Sequence, residues 1–271
     1  METGLGGRTV VVTGATANIG RGVALAFGAE GANVVVVGRD VEQGARVCDD
    51  VLARGAKEAV WEAADVTDRA DVDRMVGDVT RRFGAIHVLV NNVGGNVGFD
   101  AFVDSDPQTW EQDIALNMLS TLHCAQAVLP GMIDQSYGRI VNIGSTAGLI
   151  GDAMLTVYSA MKGGVHAFTK VLAKEVGRHG ITVNAVAPYG TVPEDPEREL
   201  STGSRFHADG IFARVAATRG DELAALGRRT VMPRLTALPA EIGAAVVYFA
   251  SDAGAFVTGQ VLAVDGGTLL A

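Results

Sequence analysis

Short runs of β-branched and small apolar residues recur along this 271-residue chain, each followed by a longer stretch with helical spacing. The runs fall at residues 9–12, 33–37, 59–62, 86–90, 139–143, 181–186 and 261–264. Several are apolar at every position, which a strand tolerates when helices cover both faces of its sheet. Between the runs, Ile19, Val23, Ala26 and Phe27, then Val72, Met75, Val76 and Val79, fall on single helix faces. The alternation predicts an α/β fold, a doubly wound parallel sheet of about seven strands joined by right-handed crossovers. No internal repeat or composition break divides the chain, so residues 1–271 read as one domain.

Composition narrows the function classes. The 35 glycines show no three-residue period, and 48% hydrophobic content excludes a disordered chain. With 31 acidic against 22 basic side chains, a net charge of -9 and no Lys/Arg runs, neither nucleic acid nor an anionic membrane is an expected partner. No stretch approaches the ~20 apolar residues of a membrane span, and the N-terminus lacks the basic head and apolar core of a signal peptide. Cys48 and Cys124 have no metal-ligand spacing and read as buried thiols, which favours the cytoplasm. Trp61 and Trp110 are expected to fill helix–sheet contacts, and the five histidines show no metal spacing.

Residues 190–234 differ from the rest. They have no strand pattern, and within residues 194–234 seven acids (Glu194, Asp195, Glu197, Glu199, Asp209, Asp221, Glu222) face seven arginines (Arg198, Arg205, Arg214, Arg219, Arg228, Arg229, Arg234). A structureless loop of that length would be unusual, so two or three short helices covering a substrate pocket are expected.

The first strand runs into Thr13-Gly14-Ala15-Thr16-Ala17-Asn18-Ile19-Gly20-Arg21-Gly22 and then a helix. A glycine-rich strand-to-helix turn sets free N–H groups and the positive helix end against a pyrophosphate, and Gly14, Gly20 and Gly22 are read as shaping it. Asn18 stands at the expected middle glycine and tolerates positive φ better than other residues with a side chain. After the second strand comes Gly38-Arg39-Asp40. Arg39 favours a 2′-phosphate and hence NADP(H) over NAD(H), unless Asp40, which could instead cap the next helix, takes the ribose.

Tyr158 and Lys162 stand four apart, on one helix face. An ammonium beside a phenol favours the phenolate, lowering a pKa that starts near ~10 and making Tyr158 a usable proton donor or acceptor. Ser145 follows the fifth strand at its carboxyl end, where open α/β sheets bind ligands, and could hold a substrate oxygen. No GxSxG elbow surrounds it, which argues against a serine nucleophile.

Together these residues resemble the short-chain dehydrogenase/reductase family over nearly the whole chain, residues 7–267. Thr13, Gly14, Asn18 and Gly20 are similar to its TGxxxGxG loop, Asp65-Val66 to its adenine contact, and Asn91-Asn92-Val93-Gly94 to its NNAG motif. Asn117, Ser145, Tyr158 and Lys162 match its catalytic tetrad. The resemblance implies a Rossmann-like domain, with a cofactor held by Gly14, Thr16, Asn18, Ile19, Gly20, Arg39, Asp65, Val66, Asn92, Val93, Gly94, Tyr158, Lys162, Pro188 and Thr191. It implies hydride transfer between a nicotinamide and a secondary alcohol or ketone, with Tyr158 as acid/base and Ser145 orienting the oxygen. Lys162 would bind the nicotinamide ribose, and Asn117 would hold a relay water. Tyr189, where the family has glycine, could line the substrate pocket or pack on the sheet. The expected substrate is cyclic, aromatic or otherwise hydrophobic; a 3-oxoacyl thioester is the alternative, and a non-catalytic cofactor sensor a remoter one. The resemblance also implies a homotetramer or homodimer.

Overall fold

The computed structural model describes residues 2–201, 204, 206–226 and 230–270. The chain runs β1 (Thr9–Thr13), α1 (Asn18–Ala29), β2 (Asn33–Gly38), α2 (Val41–Ala53), β3 (Glu58–Ala63), α3 (Arg69–Phe83) and β4 (Val88–Asn91). It continues through α4 (Pro107–Ile114), α5 (Ser120–Asp134), β5 (Gly138–Ile143), a short α6 (Ala147–Ile150), α7 (Thr156–Val176) and β6 (Ile181–Pro188). Last come a short α8 (Pro196–Glu199), α9 (Ile211–Leu226), α10 (Pro239–Ala250) and β7 (Val261–Val264).

All seven strands are parallel, in the order β3-β2-β1-β4-β5-β6-β7. The order reverses between β1 and β4, so the crevice beyond their carboxyl ends is the ligand position of such a sheet. Side-chain alternation divides the core. Val10, Val12, Val34 and Val36 pack with Val23, Phe27, Val47 and Ile242 under α1, α2 and α10. Val11, Val35 and Leu89 pack with Met75, Val79, Met132 and Leu172 under α3, α5 and α7. Full burial of each such side chain is worth about 1.5–3 kcal/mol, so the two apolar layers fix which face each helix takes.

Helix starts follow local chemistry. Asp68 accepts from Ala70 N at 2.7 Å at the head of α3, and Asp106 accepts from Gln108 N at 2.9 Å ahead of Pro107 in α4. Cys48 and Cys124 are free thiols, and burial pushes them up to about 11 and about 12. Trp61 packs against the first layer, whereas Trp110 stacks on Phe102 with ring centroids 5.1 Å apart. The expectation of a helix–sheet contact fails for Trp110 because α4 lies over the loop after β4. Gly22 is also reassigned: a Cβ there would come within 2.7 Å of the Pro239 carbonyl carbon, so it serves the α1–α10 contact rather than the phosphate turn.

Residues 190–234 contain α8 and α9, and α9 is kinked at Arg219, whose φ is -139°. Arg21 of α1 ties the start of this segment down, with Nη1 2.9 Å from Glu199 and Nη2 2.8 Å from Asp50. Arg219 donates to Asp100 at 3.3 Å, and Arg234 pairs with Glu241 at the far end. Arg205, Arg228 and Arg229, and the side chain of Glu222, lie outside the described residues. Among the described residues no helix is long and apolar enough to cross a membrane.

Candidate active site

β1 ends at Thr13, and the chain must reverse within a few residues to start α1. Gly14 at φ +62° and Asn18 at φ +45° make that turn. A Cβ on Gly20 would collide with the Gly14 carbonyl oxygen, so the turn closes this tightly only around glycine. Two polar ties hold it. Thr13 Oγ1 accepts from Asn92 N at 3.0 Å, and Asn92 Nδ2 donates to Thr13 O and Gly14 O at 2.9 and 3.1 Å. Asn18 Nδ2 donates to Thr191 O at 3.2 Å, joining the turn to the chain after β6. The result is a backbone cradle at a helix N-terminus, the geometry that suits a diphosphate.

A cleft of about 570 Å³ starts at this cradle and runs along the carboxyl ends of the strands. Of the catalytic, cofactor-binding and substrate residues expected from the sequence, all line it except Asn117, whereas Thr13, Gly22, Asp40 and Asn91 of the neighbouring motifs do not. At its mouth Arg39 is 75% exposed and its Nη1 lies 3.6 Å from Asp65. The neighbouring Asp40 accepts from Gln43 N at 3.0 Å and caps α2. Asp65 is held below the usual carboxylate range chiefly by the Thr67 hydroxyl at 2.7 Å.

The centre of the cleft holds the polar cluster. Tyr158, 4% exposed, sits in the first turn of α7, and Lys162 follows one turn later at 3%. The Lys162 ammonium donates to Ile143 O at 2.8 Å and lies 5.8 Å from the Tyr158 ring centroid. Ser145 Oγ accepts from Ala147 N at 3.2 Å. That bond uses an oxygen lone pair and leaves the hydroxyl proton to donate into the cleft.

Asn117 lies one layer behind and is fully buried. It sits in a π-helical turn, Ala115–Leu119, between α4 and α5, and such turns cluster at functional sites. Nδ2 donates to Gly95 O at 2.7 Å and Asp113 O at 2.9 Å, while Oδ1 accepts from Gly95 N at 3.1 Å. One amide donor and the amide oxygen thus clamp the loop after β4, and the other donor is spent one turn back in α4. A Cβ on Gly94 would come within 2.8 Å of both Asn117 Oδ1 and Lys162 Nζ, so glycine is what lets the two approach from behind this loop. The Asp113 carboxyl also serves the loop, accepting from Val97 N at 2.9 Å, and burial pushes it up.

Two features were not visible in the sequence. The π turn has no composition signature. A buried chain links β4, β5 and α7 beneath the cluster: Asn91 Nδ2 donates to Asn142 Oδ1 and Asn142 Nδ2 donates to Thr169 Oγ1, each at 2.9 Å. Thr169 stands seven residues past Lys162, a spacing that could have marked it as sharing that helix face.

His166, one turn past Lys162, is 4% exposed, and neither ring nitrogen has a hydrogen-bond partner. The Gly148 backbone nearby favours the protonated ring, but less than burial and the Lys162 charge disfavour it. Burial, reinforced by the Lys162 charge, lowers the imidazole from 6.5 to about 4. The unfolded chain therefore binds this proton near pH 6.5 and the folded chain only near 4, so stability falls as pH drops through that window. The loss is about 2–3 kcal/mol. Urea titrations at pH 7.5 and 4.5 should show wild type losing that much more than His166→Leu; equal pH slopes would refute the assignment.

The comparisons with known proteins agree with this geometry. The sequence model for short chain dehydrogenase matches residues 8–200. The chain is 32% identical over 267 residues to D-beta-hydroxybutyrate dehydrogenase of Cupriavidus necator, covering 97% of this chain and 98% of the relative. It is 35% identical over 261 residues to 3-oxoacyl-[acyl-carrier-protein] reductase FabG of Escherichia coli, covering 96% and 97%. A short-chain type dehydrogenase/reductase from Mycobacterium ulcerans superimposes with a TM-score of 0.84 at 27% identity, covering 98% of this chain and 91% of that one. With the sheet order, the glycine cradle and relatives matched end to end, the chain belongs to the short-chain dehydrogenase/reductase family of NAD(P)-dependent oxidoreductases.

Proposed function

We propose that this enzyme interconverts a secondary alcohol and a ketone with Tyr158 as general acid/base. The observation that carries this reading is the meeting of Tyr158, Lys162 and Ser145 in the cleft that begins at the phosphate cradle. When bound, the nicotinamide dinucleotide supplies the hydride or takes it up. Gly14, Asn18 and Gly20 shape the cradle for its diphosphate, with Thr16, Ile19 and Thr191 beside them. Asp65, Val66, Asn92, Val93 and Gly94 line the path of the adenosine and ribose, and Pro188 borders the nicotinamide end. Ser145 donates its hydroxyl proton to the substrate oxygen and holds it near Tyr158. The Tyr158 phenol gives its proton to a carbonyl oxygen in reduction and takes it back from the alcohol in oxidation. Lys162, fixed by Ile143 O, is placed to stabilise the negative charge that then develops on the phenol oxygen. Asn117 acts as a positioning residue that clamps Gly95 and keeps Oδ1 beside Lys162.

Absorbance of the reduced nicotinamide tests the reading. NADPH and NADH would be mixed with purified enzyme and a panel of ketones and 3-oxoacyl thioesters. Consumption with any ketone supports it; tight cofactor binding without turnover of any substrate would refute it. The 35% identity to a 3-oxoacyl-[acyl-carrier-protein] reductase keeps an acyl thioester as the second reading, in which thioesters alone are turned over.

NADP(H) is the favoured cofactor. Capping of α2 uses the Asp40 carboxylate, so Arg39 is the charged group of this turn left to face a 2′-phosphate. Charge-assisted hydrogen bonds are worth about 1.5–3 kcal/mol. Arg39→Ala should therefore weaken NADPH binding roughly ten-fold or more in a fluorescence titration and leave NADH nearly unchanged. Equal affinity for NADPH before and after the change would reject the assignment. The same reading includes a homotetramer or homodimer in the cytoplasm. Leu119, which ends the π turn just before α5, and Val171 of α7 are 38% and 53% exposed, in keeping with a subunit contact.

A further inference from the structure

The segment between β6 and α10 contributes its own wall to the cleft, including Phe206, Ile211 and Arg214. Phe212 packs edge-on against Phe99 at 5.6 Å and tilts against Phe206 at 5.2 Å, which seats the first turn of α9. Ile211, Phe212 and Val215 pack on the apolar cluster that contains Tyr158 and Leu155. Arg214 is three residues past Ile211 and so shares its helix face, at the end of the cleft where Tyr158 lies rather than at the Arg39 mouth.

The guanidinium of Arg214 is unusual in its surroundings. Its described hydrogen bond goes to a neutral acceptor, Asp209 O, at 2.9 Å. No carboxylate lies within ion-pair distance among the described residues, whereas Arg198, Arg219 and Arg234 of the same segment all have acidic partners. The Asp209 carboxylate, the nearest acid in sequence, is 90% exposed and sits 3.6 Å from His207 Nδ1 instead. Arg39, the other arginine on the cleft among the described residues, has Asp65. A planar five-donor cation that lines the cleft, is open to solvent and lacks an acidic partner is suited to binding an oxyanion in two parallel hydrogen bonds.

We propose that Arg214 anchors an anionic head group of the substrate, so that the enzyme selects ketones and secondary alcohols carrying a carboxylate or similar oxyanion. The proposal rests on the reading of the cleft as a ketone/alcohol site and adds the charge of the substrate to it. Apolar neighbours then accept the hydrocarbon between the reacting carbon and the head group, while Ser145 and Tyr158 hold its oxygen.

Matched pairs test it, because esterification removes charge and keeps the ketone. The probes are 3-oxobutanoate, 4-oxopentanoate and 5-oxohexanoate, each against its methyl ester, with NADPH and NADH. At least one acid should exceed its ester by about ten-fold or more in kcat/KM. Arg214→Gln should bring that ratio toward one, chiefly through KM, and Arg214→Lys should keep part of it. Thermal shift of the cofactor-bound enzyme gives a readout without turnover: the preferred acid should raise Tm in wild type and not in Arg214→Gln. Three results would overturn the proposal: acids and esters used equally by wild type, a preference surviving Arg214→Gln, or a loss of NADPH affinity in Arg214→Gln equal to its loss in kcat/KM. In each of these the ketone reading stands. Failure to turn over any of these acids or esters while another ketone of the panel is consumed overturns the proposal alone; failure with every ketone removes both.

Discussion

Replacing Tyr158 by Phe is expected to lower kcat by about 10²–10⁴-fold while cofactor affinity changes little. The ring stays in its buried seat among Phe99, Ala147 and Leu155, so only the hydroxyl is lost. That oxygen is the proposed carrier of the proton, and general acid/base groups contribute factors of this size. Lys162 keeps its hydrogen bond to Ile143 O and therefore its place. Single-turnover reduction of a substrate found in the panel, alongside a fluorescence titration with NADPH, separates chemistry from binding. Turnover within a few-fold of wild type would remove Tyr158 from its role. A parallel loss of cofactor affinity would show that the substitution disturbed the site as a whole.

The second large effect belongs to the cradle. Gly20→Ala forces a methyl group into the Gly14 carbonyl oxygen, and neither backbone segment can yield without opening the turn. Overpacking of this kind costs about 1–3 kcal/mol of stability. Opening the turn also spoils the array of N–H groups proposed to hold the diphosphate. Loss of two charge-assisted hydrogen bonds, at about 1.5–3 kcal/mol each, lowers NADPH and NADH affinity alike by about 100-fold or more. Titration with both cofactors checks this. The contrast with Arg39→Ala is diagnostic, since that change should discriminate between them. Unchanged affinity in folded Gly20→Ala would show that the turn does not contact the phosphates.

The architecture was legible because each strand carries its burial in its own letters. Residues 34–37 are apolar on both faces, and β2 proves to be covered by helices on both. The strand ends shifted by one or two residues, as at β6, which runs on to Pro188. Its last pairs to β7 depend on a neighbour about eighty residues away, and local pattern cannot express that. Placement of the cluster was legible from spacing, since a phenol and an ammonium four apart share a helix face wherever the helix lies. The roles of Gly22 and Trp110 were not, because each depends on which distant element comes to rest against it. Arg214 was only one of seven arginines in an electrically neutral segment. What distinguishes it is that it meets no carboxylate among the described residues, and this is a property of the folded chain alone.

The π turn at Ala115–Leu119 also carries a constraint on length. It accommodates one residue more than a regular helix would, between the Asp106 cap of α4 and the start of α5. Deleting one residue there would let the hydrogen bonds revert to α spacing and strengthen the local helix. Because the wide turn takes up the extra residue within itself, α4 and α5 would keep their relative setting and the change would fall on the turn alone. Asn117 sits inside that turn and would lose the bulged backbone that now aims its amide at Gly95. The chain is therefore held to its count of residues at this point by the clamp, against the preference of the helix itself.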